Sequence, residues 1–474
     1  MMTAPTTPIR TVDDLRGRRA VVLGLARSGV AASRFLADVG AVVAAYDRRP
    51  AAELAEAVAA LGARPVRLAL GVDQEAAEAL LAHADLLVTS PSVSPRFPTT
   101  DPWLRDALVA AEARGAEVVS EVELFLRLTR ARILGVTGTK GKTTTASLVA
   151  AMLDRAGLPS VLGGNIGTPL IERANELGPD AWAVLELSEL QLPTISRGAD
   201  IALYTNVGED HLDRHGTVEA YRAVKARLAE LSAPSGRVVL NNDDPGCRVL
   251  GERLSPASVA WYGIAQPARG RMEAWVDDDG WLLVAGERLI DSRGVPLPGR
   301  HMLSNVLGAS LGASLAGASA ADIGQAIAGF EGVPHRLELV AERRGIRWVN
   351  DSQATIPVAA IAALEAFDAP VVLIAGGKDK GLTYDAFADA IAARSRAAVL
   401  IGETADELAA LIGDRARVER AADMEAAVRL AAGIARPGDV VLLSPAAASF
   451  DMFVDYAERG AAFRTAIALL EAER

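Results

Sequence analysis

The chain has 474 residues, a formal net charge of −11 and one cysteine. This length exceeds what one hydrophobic core supports, and at roughly 100–200 residues per domain we expect three domains. The negative charge argues against general binding to nucleic acids or acidic membranes, and a single cysteine excludes an internal disulfide. Because the polar start of the chain also lacks an apolar core of signal-peptide length, we expect a cytoplasmic protein.

A strand, a glycine turn and a helix open the chain at residues 20–39. The turn runs from Gly24 to Gly29, and a second strand ends at Asp47, the position of the ribose-binding acid in a Rossmann βαβ unit. Alone, this unit would indicate an NAD-dependent oxidoreductase. Among lysines and histidines residues 1–130 contain only His83, however, and hydride transfer needs an acid or base near the substrate. We therefore interpret this first unit as a nucleotide-binding unit.

Residues 133–145 have the pattern of a phosphate-binding loop, in which an apolar strand leads through a glycine turn into a helix predicted to reach residue 156. The N–H groups of such a loop and the helix N-terminus face a polyphosphate. Lys142 would reach the β- and γ-phosphates and Thr143 would hold Mg²⁺. Val136 stands where the usual pattern has its first glycine. The predicted loop residues are Gly138, Thr139, Lys140, Gly141, Lys142, Thr143 and Thr144.

Lysine is scarce in this sequence. Of its 49 basic residues only five are lysine, namely Lys140, Lys142, Lys225, Lys378 and Lys380. A lysine provides a compact ammonium, or an amine that can lose its proton, which arginine cannot replace. We therefore interpret the isolated Lys225 and the pair Lys378 and Lys380 as site candidates. The alternative is that a few surface lysines remain by chance.

Two more candidates follow apolar strands in the middle of the chain. Glu186 ends the run 182–185, and His211 lies in the segment after the run 200–204. Since ligands gather at the carboxyl ends of parallel strands, both side chains should stand beside the loop of Lys142. Glu186 is the expected second ligand of Mg²⁺, which prefers carboxylate oxygens. Its alternative role is that of an ordinary strand-end acid.

Other segments predict structure rather than chemistry. Residues 306–330 are rich in Ala and Gly but carry polar side chains, so a packed pair of helices is favoured over a membrane span. Residues 259–290 alternate short apolar runs with turns and predict a β-rich excursion. Strands at 371–375, 398–401 and 440–443 predict a small α/β region near the end of the chain.

Five segments, in this order, resemble the Mur ligase family: residues 138–143, 164–167, 185–188, 210–213 and 241–244. The resemblance covers essentially the whole chain and is greatest to members that join D-glutamate to UDP-N-acetylmuramoyl-L-alanine. Such enzymes use ATP to convert a carboxylate into an acyl phosphate, which the amine of an amino acid attacks to give an amide, ADP and phosphate.

The resemblance implies an α/β fold of three domains. A Rossmann-like N-terminal domain at 1–130 would bind the uridine nucleotide of the UDP-sugar. A P-loop-type central ATPase domain would span 131–332, and a Rossmann-like C-terminal domain at 333–474 would bind the amino acid. A monomer is expected, because no coiled-coil heptads appear.

The resemblance also implies a role for each candidate residue. ATP would be bound by the phosphate loop together with Asn305, Arg336 and Asp351. The catalytic residues would be Lys142, Glu186, His211 and Lys225. Two Mg²⁺ ions would be held by Thr143, Glu186, His211 and Lys225, the last as a carbamate formed with CO₂. UDP-N-acetylmuramoyl-L-alanine would contact Arg27, Ser28, Asp47, Arg48, Asn165 and His211. D-Glutamate would contact Thr355, Lys380, Ser449 and Phe450.

Two positions depart from the family's pattern. Met302 stands where the first Asn of a His-Asn-x-x-Asn segment is expected, and Gln353 stands where a lysine is common in the members that add D-glutamate. L-Glutamate or another amino acid therefore stays an alternative acceptor. A P-loop motor or switch, as a further alternative, would leave the first nucleotide-binding unit unexplained.

Overall fold

The computed structural model describes residues 8–97, 99–208, 216–265, 272–297, 299–379 and 381–472. The chain forms two compact units, residues 1–330 and 331–474. The first unit contains two sheets and the second contains one. Each sheet carries helices, so the predicted α/β class is confirmed. The residue at which each predicted domain begins and ends stays a prediction.

The N-terminal sheet is parallel, and its described strands have the order β3-β2-β1-β4-β5. The strands are β1 Arg19–Leu23, β2 Val42–Asp47, β3 Val66–Leu70, β4 Leu86–Thr89 and β5 Glu117–Ser120. The helices are α1 Arg27–Asp38, α2 Ala55–Leu61, α3 Gln74–Ala82, α4 Pro102–Ala113 and α5 Glu121–Leu128. Strands β1, β2 and β4 are almost wholly buried, as short apolar strands covered on both faces must be.

The central sheet has the described order β14-β13-β12-β11-β10-β9-β6-β8-β7. The strands are β6 Arg132–Thr137, β7 Ser160–Gly164, β8 Trp182–Glu186, β9 Ile201–Tyr204, β10 Arg237–Asn241, β11 Val259–Ala265, β12 Ala274–Val276, β13 Trp281–Val284 and β14 Glu287–Asp291. Pairing is parallel from β7 to β12 and antiparallel from β12 to β14. The predicted β-rich excursion is therefore confirmed as an antiparallel extension of a parallel sheet.

Five described helices belong to the central region. They are α6 Lys142–Arg155, α7 Val218–Ser232, α8 Pro245–Glu252, α9 Arg300–Ala316 and α10 Ala320–Ala328. Helices α9 and α10 contact each other and α6, which confirms the predicted packed pair. Among the described residues no helix is long and apolar enough to cross a membrane.

The second unit is built on a sheet of described order β15-β16-β20-β17-β18-β19, in which only the β15–β16 pairing is antiparallel. The strands are β15 Glu338–Arg343, β16 Ile346–Asn350, β17 Val371–Ala375, β18 Ser395–Leu400, β19 Arg417–Arg420 and β20 Val440–Leu443. The helices are α11 Pro357–Glu365, α12 Asp385–Arg394, α13 Ala405–Ile412, α14 Met424–Ile434 and α15 Tyr456–Ala472. Strands β17 and β20 have the predicted bounds, whereas β18 begins three residues before and ends one residue before the predicted strand 398–401.

Tyr204, at the end of β9, fixes helix α7 against the central sheet. Its buried hydroxyl donates to the carbonyl of Lys225 at 2.6 Å and accepts the N–H of Ala229 at 2.9 Å. In a regular α-helix this carbonyl and this N–H, one turn apart, would form a hydrogen bond with each other. Here the hydroxyl lies between them and bonds to both. The contact thereby fixes the position of Lys225 along the helix.

Replacing Tyr204 by phenylalanine should lower the free energy of unfolding by about 1–3 kcal/mol, because two buried backbone groups lose their partner. Tyr384→Phe is the matched control, since the buried hydroxyl of Tyr384 has no hydrogen-bond partner among the described residues. This control should be neutral or slightly stabilising. Scanning calorimetry of the two variants checks the difference, and equal losses in both would contradict it.

Candidate active site

The phosphate loop connects β6 to α6 and depends on two glycines with positive φ. Gly141 precedes the helix at φ 84°, and Gly138 has φ 150°. A Cβ added at Gly138 would lie 2.0 Å from Oγ1 of Thr205, so no larger residue fits there. The ammonium of Lys142 donates to the carbonyls of Gly138 at 3.0 Å and Thr139 at 2.9 Å. The side chain of Lys142 therefore lies against the backbone of the loop that carries it.

The segment after β9 holds this loop in shape. Asn206 Oδ1 accepts the N–H groups of Thr139 at 3.1 Å and Lys140 at 2.9 Å, and its Nδ2 donates to the Lys140 carbonyl at 2.9 Å. Thr205 Oγ1 donates to the same carbonyl at 2.6 Å. Sequence reasoning selected His211 from this segment and missed Asn206. The parallel neighbours β6 and β9 were the available signal, because their ends must lie side by side.

Glu186 lies beside the loop, as predicted, because β8 pairs with β6 and places it opposite Val136. Its Oε1 accepts a hydrogen bond from Nδ2 of Asn165 at 2.9 Å, and its carbonyl accepts the N–H of Asn165 at 2.8 Å. Its Oε2 is buried and has no hydrogen-bond partner among the described residues. A buried carboxylate oxygen without a donor is costly, so this atom is suited to a cation.

Lys225 is fully buried and projects from α7 to the same loop. Its Nζ donates to the carbonyl of Gly138 at 3.0 Å and approaches Oγ1 of Thr137 at 3.3 Å. Because Nζ of Lys142 also lies 3.0 Å from that carbonyl oxygen, the two lysine nitrogens are at most 6.0 Å apart. The structure therefore brings Lys142, Glu186 and Lys225 to the end of β6. His211 lies outside the described residues.

Asn305, in the second turn of α9, is pressed against the phosphate loop. A Cβ added at Gly141 would lie only 2.5 Å from its Oδ1. Its Nδ2 is 3.9 Å from the sulfur of Met302, one turn earlier in the helix. Although Met302 stands where the family's pattern has an asparagine, Asn305 is therefore still in contact with the phosphate loop. Thr143 and Thr144 are buried in the first turn of α6.

A cavity of about 890 Å³ lies at the carboxyl ends of β1, β2 and β4 in the N-terminal sheet. Arg48 and Asp47 line it, and so do Tyr46 and Trp103, whose rings pack edge to face with centroids 6.3 Å apart. The combination of aromatic rings, an arginine and backbone groups at strand ends suits a nucleotide.

Asp47 is engaged by the protein itself. Its carboxylate accepts the N–H of Leu25 at 2.9 Å, the N–H of Arg49 at 3.0 Å and two guanidinium bonds from Arg49 at 3.0 and 2.9 Å. Burial alone would raise the pKa of Asp47, but the bonds from Arg49 and Leu25 outweigh it and lower the pKa to about 2. Asp47 therefore shapes the glycine turn. Direct contact with a ribose stays a prediction.

Arg27 and Ser28 lie at the start of α1, away from the wall of this cavity. Arg27 is exposed and approaches the carbonyl of Gly167 at 3.4 Å. It lines a second cavity, of about 440 Å³, that α1 forms with the segment around Gly167 and Glu172. The structure thus places Arg27 near the strand-end loop that carries Asn165.

In the second unit, three loops follow the carboxyl ends of β16, β20 and β17. These loops carry Asp351, Thr355, Ser449 and Phe450, which the sequence predicted to be binding residues. Ser449 is buried, whereas Phe450 is 70% exposed. Thr355 follows β16, and Arg336 precedes β15. Lys380 lies outside the described residues.

Asp351 is the most strongly perturbed carboxyl of these loops. Its Oδ1 accepts the N–H of Leu337 at 3.1 Å and its Oδ2 accepts the hydroxyl of Ser444 at 2.7 Å. Burial raises the pKa of Asp351 to about 6 in spite of these bonds. Two bonds to uncharged donors do not compensate for the loss of water around a carboxylate.

Comparison with known proteins agrees with this geometry. Residues 18–120 match the Mur ligase MurD-like N-terminal domain, residues 136–313 the Mur ligase middle domain and residues 335–447 the Mur ligase glutamate ligase domain. A UDP-N-acetylmuramoylalanine--D-glutamate ligase of Solibacter usitatus is 40% identical over 459 residues, which cover 96% of this chain and 99% of the relative. The chain belongs to the Mur ligase family.

Other relatives and structures resemble this Mur ligase over its whole length. The protein of the same name from Anaeromyxobacter dehalogenans is 42% identical over 463 residues, covering 95% of this chain and 97% of the relative. The structure of UDP-N-acetylmuramate-alanine ligase MurC from Thermotoga maritima has a TM-score of 0.57 at 16% identity and covers 96% of this chain and 100% of the other. The resemblance stated from the sequence and the three-domain α/β fold are confirmed.

The stability of the second unit should depend on pH through Asp351. Between about pH 4 and 6 its carboxyl is protonated in the fold but ionised in the unfolded chain, so stability falls as the pH rises through this window. Asp351→Asn removes the cost of ionising this buried carboxyl. The free energy of unfolding of the variant should therefore exceed that of the wild type at pH 7 by about 2–3 kcal/mol.

Thermal unfolding of both proteins between pH 4 and 7.5 measures this effect. The difference in melting temperature between variant and wild type should grow from pH 4 to pH 6 and then stay level. A difference that does not change with pH would show that the Asp351 carboxyl titrates alike in folded and unfolded chains.

Proposed function

We propose that this Mur ligase joins D-glutamate to UDP-N-acetylmuramoyl-L-alanine at the expense of ATP, through an acyl phosphate, as a cytoplasmic step of peptidoglycan precursor synthesis. The observation that carries the proposal is the convergence of Lys142, Lys225 and Glu186 at the end of β6. Relatives about 40% identical over nearly the full chain carry the name of this activity.

The phosphate loop would bind ATP. Its N–H groups and the N-terminus of α6 offer partial positive charge to the phosphates, and Lys142 could exchange the carbonyls of Gly138 and Thr139 for phosphate oxygens. Asn305 packs on the same loop. By resemblance, Arg336 and Asp351 of the second unit also contact ATP. Lys142 would stabilise the charge that develops on the γ-phosphate while the L-alanyl carboxylate attacks it.

The residues present fit Mg²⁺. Glu186 offers a buried carboxylate oxygen with no donor among the described residues, and Thr143 stands in the first turn of α6. The described residues contain no cluster of three or more His, Cys, Asp or Glu that could hold a metal, so phosphate oxygens and water would complete the coordination, as is usual for Mg²⁺. Bound Mg²⁺ would neutralise phosphate charge. A second ion, with His211 and Lys225 among its ligands, is part of the proposal.

A carbamate on Lys225 fits the charge balance of the site. In the uncharged amine, Nζ would form a bond to the carbon of CO₂ and release one proton. Two ammonium groups at most 6.0 Å apart repel each other, whereas a carbamate beside Lys142 would be attracted. The carbamate nitrogen keeps one hydrogen, so it can still donate to the carbonyl of Gly138. Its two oxygens would be ligands of the kind that Mg²⁺ prefers.

The two remaining substrates have separate positions. The 890 Å³ cavity would hold the uridine nucleotide, and Asn165, held by Glu186, would contact the muramoyl part of the same substrate. D-Glutamate would be bound through its carboxylates by Thr355, Lys380 and Ser449, since a dicarboxylate needs a cation and several donors. Its deprotonated amine would attack the acyl phosphate, and phosphate would leave.

The proposal predicts phosphate release from ATP only when UDP-N-acetylmuramoyl-L-alanine, Mg²⁺ and D-glutamate are all present. Separate reactions with D- and L-glutamate and a reaction without acceptor make the comparison. Turnover with D-glutamate alone supports the proposal. Turnover with L-glutamate alone would move the protein to a related ligase activity, and release with neither would mean that another acyl substrate is used.

The carbamate makes a separate prediction about Lys225. Lys225→Ala should lower kcat by about 100- to 1,000-fold, and formate or acetate should restore part of it by supplying the missing carboxylate. Added bicarbonate should stimulate the wild type. Lys142→Ala is the matched control: it loses a cation at the same carbonyl and should gain nothing from these acids. Full activity in Lys225→Arg would contradict the carbamate role, because a guanidinium cannot replace a carbamate.

A further inference from the structure

Arg459 is a buried cation that none of the roles above uses. It lies in the first turn of α15 with 1% of its surface exposed. Its Nε donates to Oγ of Ser352 at 3.0 Å and one terminal nitrogen donates to the carbonyl of Ser352 at 2.9 Å. The other terminal nitrogen donates to the carbonyls of Ala447 and Ala448, each at 3.0 Å. The guanidinium therefore joins two separate loops.

A third loop meets the same guanidinium. A Cβ added at Gly377 would lie 3.1 Å from a terminal nitrogen of Arg459 and 2.1 Å from the carbonyl of Ala448. The backbone N–H of Lys378 donates to that carbonyl at 2.9 Å. The loops at 351–355 and 444–450, which follow β16 and β20, and the described residues 376–379, which follow β17, therefore converge on Arg459.

The three loops are those that carry the residues proposed to bind the acceptor amino acid. Thr355 belongs to the first, Lys380 to the second and Ser449 to the third. Two of the three carbonyls to which Arg459 donates belong to the residues immediately before Ser449, and the third is that of Ser352. A displacement of the guanidinium would therefore change the spacing of all three loops.

A buried cation that is bound only to uncharged oxygens contributes little to the stability of a domain. Burial lowers the pKa of Arg459 to about 10, which still leaves it charged at neutral pH. Removing a charge from water is costly, and an apolar side chain of similar size would often serve stability as well. The arrangement is better explained by geometry and by the positive charge that it places beneath a site for a dicarboxylate.

We propose that Arg459 is a positioning residue of the acceptor site, which fixes the spacing of three strand-end loops so that they match the two carboxylates of the incoming amino acid. The identity of that acceptor rests on the function proposed above. Only a planar fork can reach Ser352 on one side and Ala447 with Ala448 on the other, so lysine should not replace arginine here.

The test compares Arg459→Lys with a control at the other end of the same sheet. Arg396, in β18, donates two hydrogen bonds to Asp439, at 2.7 and 2.9 Å, beside the amino ends of the parallel strands. Arg459→Lys should raise KM for D-glutamate by about tenfold or more, because misplaced binding groups lose their alignment. KM for UDP-N-acetylmuramoyl-L-alanine should stay within about twofold. Arg396→Lys should leave both constants within about twofold.

Two more measurements separate positioning from stability. Added guanidinium should lower KM for D-glutamate in Arg459→Ala, whereas ammonium at the same concentration should not. Ser352→Ala keeps the buried cation but removes one of its acceptors, so it remains informative if both Arg459 variants fail to fold. This variant should raise KM for D-glutamate by about threefold. Melting temperatures identify the variants that are folded.

The outcomes distinguish this proposal from the proposed function. If the wild type turns over D-glutamate and folded Arg459→Lys keeps its KM within twofold, the positioning role is wrong. The role is also wrong if KM rises equally for both substrates or equally in Arg396→Lys. If the wild type uses a different amino acid, the function is revised and the same comparison is made with that acceptor. No turnover with any amino acid would overturn both proposals.

Discussion

The carbonyl oxygen of Gly138 is the point on which the central region depends. It accepts hydrogen bonds from Lys142, in the loop itself, and from Lys225, on a distant helix. To bring both nitrogens there, β6 must be followed directly by a residue with positive φ, which is Gly138, and α7 must be fixed against β9, which Tyr204 achieves from within the sheet. The parallel order of the strands then places Glu186 at the same edge. A shift of any one of these elements would separate the two cations from the carboxylate.

Local positive charge at this edge of the sheet can attract an anion although the protein as a whole is acidic. Two lysines share one neutral oxygen, and one carboxylate oxygen of Glu186 is buried without a donor among the described residues. The second unit repeats the pattern, since Arg459 is buried against neutral oxygens and Asp351 is held in a site where its ionised form is disfavoured. Such unfavourable charges are compensated when a charged ligand binds.

The sequence predicted the strands β1, β2, β8, β9, β17 and β20, because short apolar runs that end in glycine, acid or asparagine are typical of buried parallel strands. It did not predict β3, β7, β15 and β19, which are only partly buried and therefore lack a continuous apolar run. It also predicted that Glu186 lies beside the phosphate loop, because both follow neighbouring parallel strands, and it selected Lys225 because lysine is rare in this chain. The roles of Glu186 and Lys225 stay predictions. The sequence did not predict the partners of Asp47 or the role of Asn206, since these depend on which strand ends become neighbours. Arg459 could not be singled out, because arginine is the common cation of this chain and its burial is decided by the packing of α15.

The departures from the family's pattern are compatible with the same chemistry for a physical reason. Gln353 contributes through its backbone N–H, which donates to the carbonyl of His335 at 3.0 Å, and this contact does not require a lysine side chain. The positive charge that a lysine would bring to this loop is lost, but Arg459 is bonded to the adjacent Ser352 and remains charged. A fixed, buried guanidinium does not have to be ordered when the substrate binds, whereas a flexible lysine does. A loop without its own lysine can therefore still favour a dicarboxylate, provided that the cation beneath it is retained.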